Sequence, residues 1–170
     1  QNSNKKVRIM RKTIKRGIDT MTNDRKVVKV GGSSLADATQ FKKVAEIILS
    51  DKARRYAVPS APGKRFKDDT KVTDMLYACY NLAESENEGY AKVFEDIKER
   101  YNGIIKELGI DLSLEDEFEK VRKNFINKAG RDYAASRGEY LNGIILAKYL
   151  GFDFVDSAEV IFFNEKGIFD

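Results

Sequence analysis

Lys29-Val30-Gly31-Gly32-Ser33-Ser34 follows directly on the apolar pair Val27-Val28, so a strand end, a cation and a turn without side chains fall close together. The β-branched valines favour an extended backbone. At Gly31 and Gly32 backbone N–H groups can come close to an anion, while Ser33 and Ser34 add hydroxyl donors and Lys29 adds a fixed charge. Downstream, Asp37 precedes Phe41, Val44, Ala45, Ile48 and Leu49 at three-and-four spacing, which predicts a helix that starts near Asp37. Strand, glycine turn and helix N-terminus in that order suit a phosphate, through aligned amides and the helix dipole. An ordinary tight strand-to-helix turn shares this local pattern, so the reading has to be decided by the rest of the chain.

The 170 residues, 42% of them hydrophobic, suit one globular domain or part of a larger one. No apolar run approaches the roughly 20 residues of a membrane helix, and the N-terminus lacks the apolar block of a secretory signal. A cytoplasmic location is therefore expected and no membrane partner. Cys79, the single cysteine, falls among Leu76, Tyr77 and Leu82 and reads as a buried, inert thiol. The chain has no histidine. That excludes Ser-His-Asp and Cys-His nucleophile systems and the usual zinc sites. The formal net charge of +4 is local: residues 1–24 hold seven Lys or Arg against two Asp, which leaves 24 basic and 25 acidic residues elsewhere. The body has no electropositive field for a polyanion, and nucleic acid is not expected as a partner. Residues 1–24 read as a basic extension or an expression remnant, with Met21 as an alternative start. Residues 25–170 carry the fold.

Further along, Tyr56-Ala57-Val58 reads as a second strand and Pro59-Ser60-Ala61-Pro62-Gly63-Lys64 as a loop. Thr70 is positioned to cap a helix whose apolar face is Val72, Met75, Leu76, Cys79 and Leu82. Helices are predicted over 90–108, with Val93, Ile97, Tyr101, Ile104, Ile105 and Leu108 inward, and over about 114–128, with Phe118, Val121 and Phe125 inward. Their charged faces read as solvated. Gly109 and Gly130 are expected to end helices, and a last helix spans about 132–150, closed by Gly151. Phe152 to Val155 and Val160 to Phe163 have the composition of strands. Strands alternating with helices predict a parallel α/β sheet with helices on both faces. Ligands of such sheets bind at the carboxyl ends of strands, where the Gly31–Leu35 and Ser60–Asp69 loops both emerge. Because the sequence reaches Asp170 just after strand-like segments, the sheet is expected to be incomplete, with apolar surface covered by self-association or domain exchange. A P-loop is disfavoured, since Gly63-Lys64 lacks a glycine at the required spacing and is followed by Arg65.

Four blocks then stand out in order: Lys29 to Leu35, Val58 to Lys64, Asp68-Asp69-Thr70-Lys71-Val72-Thr73-Asp74, and Ser136-Arg137-Gly138-Glu139. In this order they resemble the aspartokinases, from about residue 26 to the end. Ordered blocks are far more specific than one glycine turn. The resemblance implies the N-terminal portion of an amino-acid-kinase domain, a parallel-sheet three-layer αβα sandwich left incomplete here. It also implies that Lys29 stabilises the phosphoryl group in flight and that Gly31, Gly32 and Ser33 hold phosphate. Ser60, Ala61 and Thr73 would face the amino-acid substrate, and Glu139 would receive its ammonium group. Bland roles compete: a strand-end charge for Lys29, a cap for Thr73, pairing with Arg137 or a helix neighbour for Glu139. Val30 departs from the phenylalanine usual in the family, and repacking is the expected consequence.

By the same resemblance the partners are L-aspartate and ATP, with Mg2+ bridging ATP phosphates, in a homo-oligomer. The reaction would be γ-phosphoryl transfer to the β-carboxylate of L-aspartate, the first step of lysine, threonine and methionine biosynthesis. A carboxylate is ionised at pH 7, so such a transfer needs no strong base and the absence of histidine is no obstacle. The family's carboxylate-gripping arginine, its nucleotide-binding half and its regulatory domains have no counterpart in this sequence, so the chain alone is expected to be inactive. Other readings are an amino-acid kinase acting on glutamate derivatives, carbamate or a nucleotide, and a noncatalytic binding module. The Pro59–Lys64 and Glu139 blocks favour aspartate.

Overall fold

Val27, Val28 and Val30 place the first strand, β1 (Lys26–Val30), and β2 (Arg54–Pro59) lies parallel beside it. The computed structural model describes residues 25–169; the basic extension at 1–24 lies outside the described residues. The register pairs Val28 with Ala57, Lys29 with Val58 and Val30 with Pro59. Since paired residues share a face, Val28, Val30 and Ala57 turn toward the core while Val27, Lys29, Tyr56 and Val58 turn away from it. Val27, Tyr56 and Val58 remain 50–67% exposed. The sheet thus has two strands among the described residues, and helices cover one of its faces. Helices on both faces, and with them the three-layer sandwich, do not form within this stretch.

A 3-10 turn (Gly32–Leu35) follows β1, and α1 (Ala38–Leu49) begins at the expected place, where Asp37 caps it by accepting the Gln40 N–H at 2.9 Å. The other helices are α2 (Val72–Glu84), α3 (Tyr90–Leu108), α4 (Glu115–Ile126) and α5 (Arg131–Leu150). Gly109 and Gly151 close α3 and α5 in the left-handed conformation, at φ 67° and 70°. Gly130 does not end a helix: it is the N-cap of α5, at φ 102°. Thr70 is not the cap of α2 either. Lys71 holds that position without a side-chain bond, and the α2 N-terminus is tied instead by Val72 N–H to the Pro62 carbonyl, 3.1 Å.

The predicted apolar faces meet in one core in which Phe41, Leu76, Ile97, Tyr101, Phe118, Phe125 and Leu141 are fully enclosed. Burying each such side chain stabilises by roughly 1.5–3 kcal/mol. Phe125 contacts Tyr80 and Phe94 edge-to-face, with ring centroids 5.6 and 6.2 Å apart. Cys79 is enclosed as expected; burial pushes its thiol up to about 12, and Sγ donates to the Tyr90 carbonyl. The strands expected at 152–155 and 160–163 do not form. A short 3-10 turn (Ser157–Glu159) and a single bridge between Phe163 and Phe169 are the regular features there. Strand composition becomes a strand only when a neighbouring edge accepts the backbone hydrogen bonds. The segment pairs with neither edge of the two-stranded sheet, and Val155, Val160, Ile161, Phe162 and Phe163 stay exposed.

Candidate functional site

Parallel pairing brings the loops after β1 and β2 to the same end of the sheet, and their backbones touch. Ser60 N–H donates to the Val30 carbonyl at 2.9 Å, and Gly63 N–H donates to the Gly32 carbonyl at 2.8 Å. A Cβ added to Gly63 would lie 2.7 Å from the Gly32 carbonyl carbon and 2.8 Å from Ser33 N; one added to Gly32 would lie 2.6 Å from the Ala61 carbonyl oxygen. All three neighbours are backbone, so neither glycine can gain a side chain without parting the loops. Gly63→Ala should cost about 1–3 kcal/mol in thermal unfolding. An unchanged melting temperature would contradict this contact.

The N–H groups of Gly32 and Ser33, the first two of the 3-10 turn, donate to nothing among the described residues. A Cβ on Gly31 would meet nothing within 4 Å, so the space beside Gly31, immediately before these donors, is open. Lys29, one residue from the end of β1, is exposed and belongs to none of the ion pairs among the described residues. Cation, free amides and open space therefore stand in sequence along one turn. This is a donor set that fits a phosphate. No cluster of three or more His, Cys, Asp or Glu fit to hold a metal occurs among the described residues.

On the other side of the second loop, α5 supplies Glu139. Its Oε1 accepts the Ala61 N–H at 3.5 Å, at the long limit of a hydrogen bond. Gly138 is what lets α5 come this close, because a Cβ there would lie 2.6 Å from the Ala61 Cβ. Asn142, one turn on and fully buried, donates to the Ser60 carbonyl at 2.7 Å, while its Oδ1 has no partner. Tyr101 on α3 donates to the Gly138 carbonyl at 2.9 Å from a wholly enclosed position. The pairing of Glu139 with Arg137 is not formed. Arg137 lies between the rings of Tyr133 and Tyr140, 4.5 and 4.6 Å from their centroids, and its Nε and Nη2 donate to Ser136 Oγ. Thr73 makes no capping bond and sits half-buried in the first turn of α2, beside the Val72 anchor.

Behind the second loop lies a buried charge that sequence reading assigned to the solvated face of a helix. Arg100 of α3 donates from Nη1 to Asp69 Oδ2 at 2.8 Å and from Nη2 to the carbonyls of Gly63 at 2.6 Å and Ala36 at 3.1 Å. Its side chain is 4% exposed and that of Asp69 7%. Asp69 also accepts from Arg65 Nε and Nη2 and from the Arg65 backbone N–H, at 2.8–2.9 Å. The Arg65 guanidinium and, after it, Arg100 hold the Asp69 carboxyl well below the usual carboxylate range. Arg100, Asp69, Gly63, Asn142 and Tyr101 were all missed as site-forming residues. A charge on an otherwise apolar helical stripe, and tyrosine where phenylalanine would fill the core, were the available signals.

The predicted residues thus gather around two loops: Gly31, Gly32, Ser33, Ser60 and Ala61 on the loops themselves, Lys29 at the strand end, Thr73 and Glu139 on the flanking helices. A separate cavity of about 920 Å3 between β2, α5 and the 152–161 segment is lined by Glu139 alone of this set, together with Tyr140, Phe154 and Ile161. Its walls are chiefly apolar, as expected of space between a free sheet edge and an irregular segment.

No family model matches the chain. It is similar to aspartokinase 3 of Bacillus subtilis, 36% identical over 153 residues that cover 85% of this chain and 33% of the relative. Among solved structures it resembles aspartate kinase of Clostridium acetobutylicum, with a TM-score of 0.81 and 56% identity over 85% of this chain and 33% of that one. Aspartokinase III of E. coli, in complex with aspartate and ADP, shares the fold at a TM-score of 0.51 and 24% identity, over 74% of this chain and 28% of that one. The chain spans about a third of the length of the relatives it matches.

Proposed function

We propose, on the premise that this chain is an aspartokinase homologue over 85% of its length, that it forms the phosphate-and-aspartate side of a kinase that transfers the γ-phosphoryl group of ATP to the β-carboxylate of L-aspartate. The observation that carries the reading is the turn after β1, where two unpaired amides follow an open position at Gly31 and an exposed Lys29 that is in no ion pair among the described residues. On this reading the two-stranded sheet is one part of a larger three-layer sandwich. The reading places this ATP-consuming step of amino-acid biosynthesis, leading to lysine, in the cytoplasm.

The residues present supply part of what the chemistry requires. Two anions must meet, so the main requirements are charge stabilisation and in-line positioning. Lys29 and the Gly31, Gly32 and Ser33 amides supply donors for the travelling phosphoryl group at the carboxyl end of β1. Glu139 accepts the Ala61 N–H and belongs to none of the ion pairs among the described residues; on this reading it receives the substrate ammonium, and Ser60, Ala61 and Thr73 face the same substrate. The attacking carboxylate is already ionised, so no residue is assigned as a base. ATP brings Mg2+ on its phosphates. The described residues offer no donor cluster for the ion, and no step is assigned to a protein-bound metal.

A protein carrying this chain at the full length of its relatives should convert L-aspartate and ATP to an acyl phosphate that hydroxylamine traps as a hydroxamate. Hydroxamate from glutamate or phosphorylation of carbamate, with none from aspartate, would move the function to another amino-acid kinase. Self-association belongs to the same reading, because Val27, Tyr56 and Val58 form an uncovered apolar face on the sheet. A monomer in sedimentation at micromolar concentration would contradict it.

A further inference from the structure

We propose that Arg100 is a positioning residue that sets the spacing of the phosphate and substrate loops, by bonding the Ala36 carbonyl behind the first and the Gly63 carbonyl within the second at the same time. The naming of those loops rests on the function proposed above; the clamp itself does not. One guanidinium nitrogen, Nη2, takes both carbonyls, at 3.1 and 2.6 Å, while Nη1 is fixed by Asp69 at 2.8 Å. Asp69 is in turn held by Arg65 of the same loop, so the fork cannot rotate without breaking a buried ion pair. The same two loops are also joined directly, by the Gly63 N–H donating to the Gly32 carbonyl at 2.8 Å. A planar fork can reach three acceptors in fixed directions; an ammonium on a flexible stem cannot. The two loops therefore keep their separation through a residue that touches neither the phosphate donors nor Glu139.

The test is local amide exchange in Arg100→Lys, which retains the charge opposite Asp69 and gives up the fork. Exchange of the Gly63 and Ser34 amides should quicken roughly ten- to a hundredfold, the factor set by one hydrogen bond to a charged donor, while amides in the middle of α4 and α5 exchange as in the parent chain. Affinity for L-aspartate and for ATP should fall with it. If Arg100→Lys does not fold, the pair Arg100→Gln with Asp69→Asn leaves no uncompensated buried charge and should give the same local pattern. Unchanged Gly63 exchange, or quickening spread evenly over the chain, would overturn the proposal by making Arg100 a residue of general stability. Local quickening in a chain whose parent binds neither ligand would uphold the clamp and reject the kinase reading.

Discussion

Asp69→Asn should destabilise the fold by about 3–5 kcal/mol at neutral pH, the usual cost of removing one partner from a buried ion pair. The loss is large because Arg100 stays charged and 4% exposed with its carboxylate gone, while the single amide oxygen of asparagine leaves Arg65 at most one of its two side-chain bonds. For a chain of this size that corresponds to roughly 10 °C or more in melting temperature. The effect carries a pH signature. Asp69 titrates well below the usual carboxylate range because of Arg65 first and Arg100 next. A depressed folded value contributes stability that is present above the unfolded value, about 3.9, and is lost as pH falls toward the folded one. The gap between parent and variant should therefore be full at pH 6 to 7 and narrow below about pH 4. Melting curves across that range check it. A gap that stays constant into acid would show that the carboxylate charge is not what the Arg100 site requires.

Lys29→Ala should have the opposite profile: a fall in turnover of roughly a hundred- to a thousandfold, about 3–4 kcal/mol of barrier, with almost no change in melting temperature. Lys29 is exposed and in no ion pair, so its removal takes little from the fold. Its neighbours on that face, Val27 and Val58, are apolar, which leaves the ammonium as the nearest fixed cation to the Gly31–Ser33 amides along the strand. Turnover measured with the chain at the full length of its relatives, beside thermal unfolding, separates the two effects. Activity within about tenfold of the parent would remove Lys29 from the transfer step.

What could be read from the sequence followed from periodicity and turn chemistry. The five helices, the Asp37 cap, the glycine closures at 109 and 151 and the two parallel strands all have local causes, and the structure has them. So did the meeting of the two loops, since parallel strands release their loops at one end. The failures share a different cause. Phe152 to Val155 has strand composition, yet a strand depends on a partner edge that no local pattern reveals. Arg100 lies in the amphipathic helix α3 among charged residues, and only the tertiary position of Gly63 and Ala36 makes it a buried clamp. Gly63 looked like a turn residue, whereas its role is to let Gly32 lie against it. Contacts between segments far apart in the chain were the part that spacing could not supply.

The most direct measurement is an amide-resolved titration of this chain, first with L-aspartate and then with ATP. Aspartate should shift the signals of Ser60, Ala61, Thr73 and Glu139, and ATP those of Gly31, Gly32 and Ser33. Shifts confined to Tyr140, Phe154 and Ile161 around the apolar cavity, or no response at Gly31–Ser33 to ATP, would contradict a phosphate site at the end of β1.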